Sequence, residues 1–134
     1  MIGLMKNYTN LILDLDGTLI GRDQKISDSV FLAVNRLKKF IDINIASGRE
    51  PQGVIRYARQ LDLKGPQISD NGSLIIDMLT KKHLWGNCIQ YDISASISED
   101  IKKFDYPVLA THNNGTMKDL KSIPKEGFNR ISIM

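Results

Sequence analysis

The sequence predicts an α/β protein: a parallel sheet with flanking helices, followed by the start of a second module that looks incomplete. Three observations carry this. Short apolar runs alternate with segments whose apolar residues recur at helical spacing. Each run closes on a polar turn with a glycine in or just after it. After Gly72 the alternation gives way to a hairpin pattern. The 134 residues, 42% hydrophobic and 25% charged, suffice for one globular domain, or for one and a piece of another.

The first element, Leu11-Ile12-Leu13, is a short run closed by Gly17, the form of a strand buried on both faces of a parallel sheet. From Ser27 to Phe40 the period changes, with Val30, Val34, Leu37 and Ile41 on one helical face. Ser27 is placed to cap the first turn, and Lys38 and Lys39 to complement the dipole at the other end. Ile41, Ile43 and Ile45 form a second strand that runs into Ala46-Ser47-Gly48-Arg49. Pro51 opens a second helix with Val54, Ile55, Ala58 and Leu61 inward, stopped by Gly65-Pro66. Gln67-Ile68-Ser69 is a third strand.

Beyond it, Leu74-Ile75-Ile76 and His83-Leu84-Trp85 flank a polar turn and read as a hairpin. Ile93, Ile97, Ile101 and Phe104 mark a helix, Val108 to Thr111 a strand, Asn113-Asn114-Gly115 a turn, and Ile131 with Ile133 a last strand. The division expected is residues 1–77 as a parallel α/β unit and 78–134 as the start of a second, incomplete-looking module.

Composition narrows the function classes. Net charge is +3 and the lysines are scattered beyond three short pairs, so no basic, aromatic-interleaved stripe marks a nucleic-acid binder. No apolar run reaches the roughly 18 residues of a membrane span, and the stretch Met1–Asn10 has neither a basic nor a long apolar region. The single Cys88 cannot close a disulfide within the chain, and no Cys/His group has zinc spacing. A soluble protein of the reducing cytoplasm is expected.

In open parallel sheets ligands bind beyond the carboxyl ends of the strands. Three polar clusters fall there: Asp14-Leu15-Asp16-Gly17-Thr18, Ala46-Ser47-Gly48-Arg49 and Asp70-Asn71-Gly72. Asp14 and Asp16, two residues apart, fall on one face if strand geometry continues, and Gly17 permits the sharp turn after them. Paired carboxylates suit Mg²⁺, which uses one or two of them together with substrate phosphate. A carboxylate also serves as a nucleophile toward phosphorus while its neighbour handles the proton. The competing structural reading is an acidic turn with Asp16 and Thr18 as caps.

The string Leu11-Ile12-Leu13-Asp14-Leu15-Asp16-Gly17-Thr18-Leu19 closely resembles the first signature of the haloacid dehalogenase-like hydrolases. Ile45-Ala46-Ser47-Gly48-Arg49 is similar to their second. With Ile68-Ser69-Asp70-Asn71-Gly72-Ser73, the set resembles the Cof-type sugar-phosphatase branch, Ser73 standing where that branch has Ala. The resemblance implies a Mg²⁺-dependent hydrolase of a small phosphorylated metabolite. Asp14 would attack phosphorus and bind the metal. Asp16 would protonate the leaving alcohol, activate water, and lend the metal its backbone carbonyl. Ser47 would hydrogen-bond a phosphoryl oxygen, with Gly17, Thr18 and Gly48 supplying backbone geometry and N–H groups. Arg49 and Asn71 are candidate substrate contacts, set against a helix-start arginine and a plain turn.

The family's later signatures, a lysine and a Gly-Asp with a following Asn-Asp, have no match here: none of the ten glycines precedes an aspartate. The resemblance thus implies a partial Rossmann-like core, with 1–77 its N-terminal half and 78–134 an incomplete α/β cap, so the chain is expected to be an N-terminal portion, weak or inactive alone, with a homodimer covering the truncated core. A phosphomutase and a non-catalytic phosphate-binding or interaction module are the alternatives.

Overall fold

The computed structural model describes residues 8–113 and 115–134. Residues 1–7 of the N-terminal stretch, and Asn114 of the expected 113–115 turn, lie outside the described residues. The order of elements follows the sequence pattern. Strand β1 (Asn10–Leu13), helix α1 (Asp28–Leu37), β2 (Asp42–Ile45), α2 (Pro51–Gln60) and β3 (Pro66–Ser69) make the first part. Strands β4 (Leu74–Asp77) and β5 (His83–Gly86), helix α3 (Tyr91–Ile101), and β6 (Val108–His112), β7 (Gly115–Met117) and β8 (Arg130–Ile133) make the second.

β1 and β2 pair in parallel from Asn10 opposite Asp42 to Leu13 opposite Ile45, and a single parallel bridge, Ala46 to Ile68, joins β3 to them. Side by side, the three strands therefore release their carboxyl-terminal turns at one edge. The helices form as the spacing predicts. The Ser27 hydroxyl accepts from the Val30 amide, and α1 buries Val34 against a core that includes Ile41, Ile43 and Ile45. Pro51 opens α2, the Glu50 carboxylate accepts from the Gln52 amide, and Val54, Tyr57 and Ala58 are sealed inside. Complete burial of a side chain such as Val54 is worth about 1.5–3 kcal/mol.

Four features depart from the sequence expectations. β1 is not covered on both faces: Leu11 and Leu13 pack against the core, while Ile12 on the opposite face is 57% exposed. The hairpin of β4 and β5 is part of a three-stranded antiparallel sheet, since the chain reverses at Asp70–Gly72 and returns β4 along β3. That sheet spans position 77/78, with Ile75 facing Trp85. The helix α3 turns Ser94 and Ser98 inward, not Ile93 and Phe104, which are exposed. Their hydroxyls make this possible by donating to the Ile89 and Ser94 carbonyls, at 2.9 and 2.6 Å, so neither is stranded. Finally, β7 is a strand that the sequence pattern left as turn; it pairs with β6, whose other edge takes β8. Val108, Ala110, Leu120 and Phe128 form this sheet's own core.

Candidate active site

The site is built on the parallel register. The Leu13 carbonyl accepts from the Ala46 amide at 2.9 Å, and the Ile68 carbonyl from the Ser47 amide at 3.1 Å. Asp14, Ser47 and Asp70 thus leave three adjacent strands at the same level. Around Leu15, which is fully buried, Asp14 and Asp16 are both exposed, the alternation that strand geometry requires. Gly17 then takes φ +79°, a left-handed value that its missing Cβ makes inexpensive, and its amide donates to the Ile20 carbonyl to tighten the loop. Gly17 and Thr18 border a groove of about 570 Å³ whose walls also include Arg22 and Lys25.

The two carboxylates have different surroundings. No hydrogen bond or ion pair engages the Asp14 carboxylate among the described residues. Asp16 is gripped by Arg49, Nε to Oδ2 at 2.8 Å and Nη2 to Oδ1 at 2.6 Å. Those hydrogen bonds, helped by the guanidinium charge, hold the Asp16 carboxyl below the ordinary carboxylate range. The same guanidinium lies over the Tyr57 ring, 5.5 Å from its centre, and donates to the Gln24 side chain. Tyr57 is tied in turn to the Gln24 carbonyl at 3.0 Å.

Ser47 is buried, and its Oγ accepts from the Arg49 amide at 3.1 Å, which leaves its hydroxyl proton free for an acceptor in the site. The Gly48 amide has no partner among the described residues. A Cβ at Gly48 would fall 2.5 Å from Asn71 Oδ1, so a larger residue there would push that side chain aside. Asn71 itself, at φ +56°, uses its amide on the Ser47 carbonyl at 3.2 Å. Its placement braces the serine loop.

The third cluster holds Asp70, which the sequence places at a strand end without a role of its own. The Asp70 side chain is wholly buried; its Oδ1 accepts from Thr111 Oγ1 at 3.0 Å, with Arg130 Nε 3.9 Å away. Burial pushes the Asp70 carboxyl up, partly offset by Thr111 and Arg130. Arg130 also donates from Nη1 to the Gly48 carbonyl. Tyr57 was within reach of sequence reading, lying three residues after Val54 on the buried face of α2. Gln24, Thr111 and Arg130 carry no local signal.

The paired carboxylates, the Ser47 hydroxyl and the unpartnered Gly48 amide all stand at the carboxyl edge of a parallel sheet, where α/β proteins bind their ligands. The chain belongs to the haloacid dehalogenase-like hydrolases, whose family model matches residues 11–130. A provisionally named phosphatase of Streptococcus pyogenes serotype M6 is 39% identical over 84 residues, 60% of this chain and 31% of that protein. A crystal structure of a haloacid dehalogenase-like hydrolase from Bacteroides thetaiotaomicron superposes with TM-score 0.69 at 27% identity, covering 77% of this chain and 40% of that one. The subclass IIB sugar phosphatase BT4131 has the same fold, with TM-score 0.68 at 20% identity, over 81% of this chain and 42% of its own. The chain spans about a third of the length of the curated relatives it matches.

Proposed function

We propose that this chain carries the nucleophile and phosphate-binding half of a Mg²⁺-dependent phosphatase acting on a small phosphomonoester, a sugar phosphate by its resemblance to the Cof-type branch. The observation that carries the reading is the asymmetry between the carboxylates: Asp14 is unengaged and open, while Asp16 sits in the Arg49 fork. Asp14 suits attack on phosphorus. Its carboxylate oxygen forms the new P–O bond as the ester P–O bond breaks, and Asp16 gives a proton to the leaving alkoxide. Asp16 then takes a proton from water, which attacks phosphorus and releases Asp14 and orthophosphate. Asp16 carries a proton only after leaving Arg49, and a phosphate oxygen is the natural replacement partner for the guanidinium. The Ser47 hydroxyl and Gly48 amide would hold the remaining phosphoryl oxygens.

The residues present fit Mg²⁺. The Asp14 carboxylate and the Asp16 carbonyl are hard oxygens without other partners among the described residues, the donor type this ion takes. No group of three His, Cys, Asp or Glu able to hold a metal occurs among the described residues, so phosphate and water would complete the shell. When bound, the cation supplies neutralisation of charge on the phosphoryl group. Among the described residues no helix is long and apolar enough to cross a membrane, and a cytoplasmic, metabolite-directed enzyme is the setting this reading favours.

An aryl phosphate assay with Mg²⁺ tests the reading. Turnover that disappears in Asp14→Asn supports it. Turnover untouched by that substitution removes Asp14 from the chemistry. A phosphate-binding module without turnover is the second reading, favoured by the engagement of Asp16; phosphate binding with little dependence on Mg²⁺ would select it.

A further inference from the structure

We infer that Arg130 of β8 is a positioning residue that sets the Ser47–Gly48–Arg49 loop through the Gly48 carbonyl, so that the second module shapes the phosphate site of the first. This rests on the phosphate-binding role proposed above for that loop.

All three carbonyls of the loop are held from the side of the chain that follows β3. The Ser47 carbonyl accepts from the Asn71 amide at 3.2 Å and the Arg49 carbonyl from the Asp70 amide at 2.8 Å. The Gly48 carbonyl, between them, accepts from Arg130 Nη1, 82 positions along the chain. Peptide planes are rigid, so a fixed carbonyl fixes the direction of the N–H on the next residue. Holding the Gly48 carbonyl therefore orients the Arg49 amide, which in turn holds Ser47 Oγ at 3.1 Å.

Arg130 is itself held for this task. Its side chain is four-fifths buried, and its Nε faces the wholly buried Asp70 carboxylate at 3.9 Å, where the attraction is of charges without a hydrogen bond. Thr111 of β6 donates to the same oxygen, Asp70 Oδ1, at 3.0 Å. A buried arginine aimed at a backbone carbonyl next to a phosphate loop is costly to place for stability alone, because its desolvation is only partly returned. Glycine at position 48 leaves the loop flexible enough to need the brace.

The test compares Arg130→Met, which keeps the stem and loses the donors, with Arg130→Lys, which keeps a donor and the charge. Arg130→Leu, which also lacks donors, is a further probe should the methionine variant not fold. Backbone amide spectra of the full chain report the loop, and titration with inorganic phosphate plus Mg²⁺ reports its function. The expectation for Arg130→Met is displaced Ser47, Gly48 and Arg49 amide signals and about tenfold weaker phosphate binding, with Arg130→Lys recovering most of both. Loop signals that overlay on the wild type in a folded Arg130→Met or Arg130→Leu protein, neither of which can donate, overturn the inference. So does phosphate binding equal to wild type. A wild-type chain that binds no phosphate, with loop signals that still move on substitution, supports the brace and instead defeats the phosphatase reading.

Discussion

Arg49 and Asp16 form a two-pronged ion pair, at 2.8 and 2.6 Å, that ties the loop after β1 to the start of α2. The planar fork matches the carboxylate, and the guanidinium also lies over the Tyr57 ring, 5.5 Å from its centre. With the two side chains 29% and 49% exposed, solvent screens the pair, so Arg49→Lys is expected to cost no more than about 1 kcal/mol in urea unfolding. A loss above about 3 kcal/mol, the range of a broken buried pair, contradicts this account of the contact.

Asp70 predicts a pH dependence of stability. Burial raises its pKa in the folded protein above the unfolded value, so the native state holds the proton over a window where the unfolded chain has lost it. The contribution is full below the ordinary aspartate range and is lost as pH rises through the raised value. Asp70→Asn keeps an acceptor for Thr111 and cannot ionise. Urea titrations at a series of pH values from about 4 to 7 are expected to show a flatter profile for the variant. Parallel profiles for the two proteins exclude Asp70 as the source.

Gly127 is fixed by contact as well as conformation. It sits at φ +84°, and a Cβ there would lie 1.8 Å from the Ile89 carbonyl oxygen, which accepts from the Phe128 amide. Gly127→Ala is expected to break the bridge between positions 89 and 128 and to cost about 2 kcal/mol or more. Thermal unfolding checks it; a melting temperature equal to wild type contradicts the geometry.

Ser98 offers the opposite case. It is buried, yet its hydroxyl only back-bonds to the Ser94 carbonyl, which the helix ladder already uses. Ser98→Ala is expected to leave stability within about 0.5 kcal/mol of wild type. A clear loss would show that the hydroxyl has a further partner.

The sequence made the parallel edge and its three turns legible because both arise locally. The apolar period marks β1, α1, β2 and α2, and Asp14 and Gly17 stand where a strand end and a sharp turn favour those residue types. Residues joined across long separations were not legible. Thr111 and Arg130 reach Asp70 and Gly48 only because β6 and β8 pair beside them, and nothing near either residue signals that partner. The helix α3 is legible as a helix, but its buried face is not, for a related reason. Its isoleucine spacing is a valid apolar stripe, but the face that meets the neighbouring chain is the serine stripe, whose hydroxyls are satisfied by carbonyls of positions 89 and 94. Burial there depends on who the neighbours are.

The central claim is that Asp14 is the nucleophile of this edge, and trapping its adduct tests that most directly. The chain is incubated with an aryl phosphate and Mg²⁺, quenched in acid, and digested for mass spectrometry. A phosphoryl group on the peptide carrying Asp14, absent from Asp14→Asn and still formed in Arg49→Lys, is the predicted result. A phosphoryl group on another residue, or an equal adduct in Asp14→Asn, contradicts it.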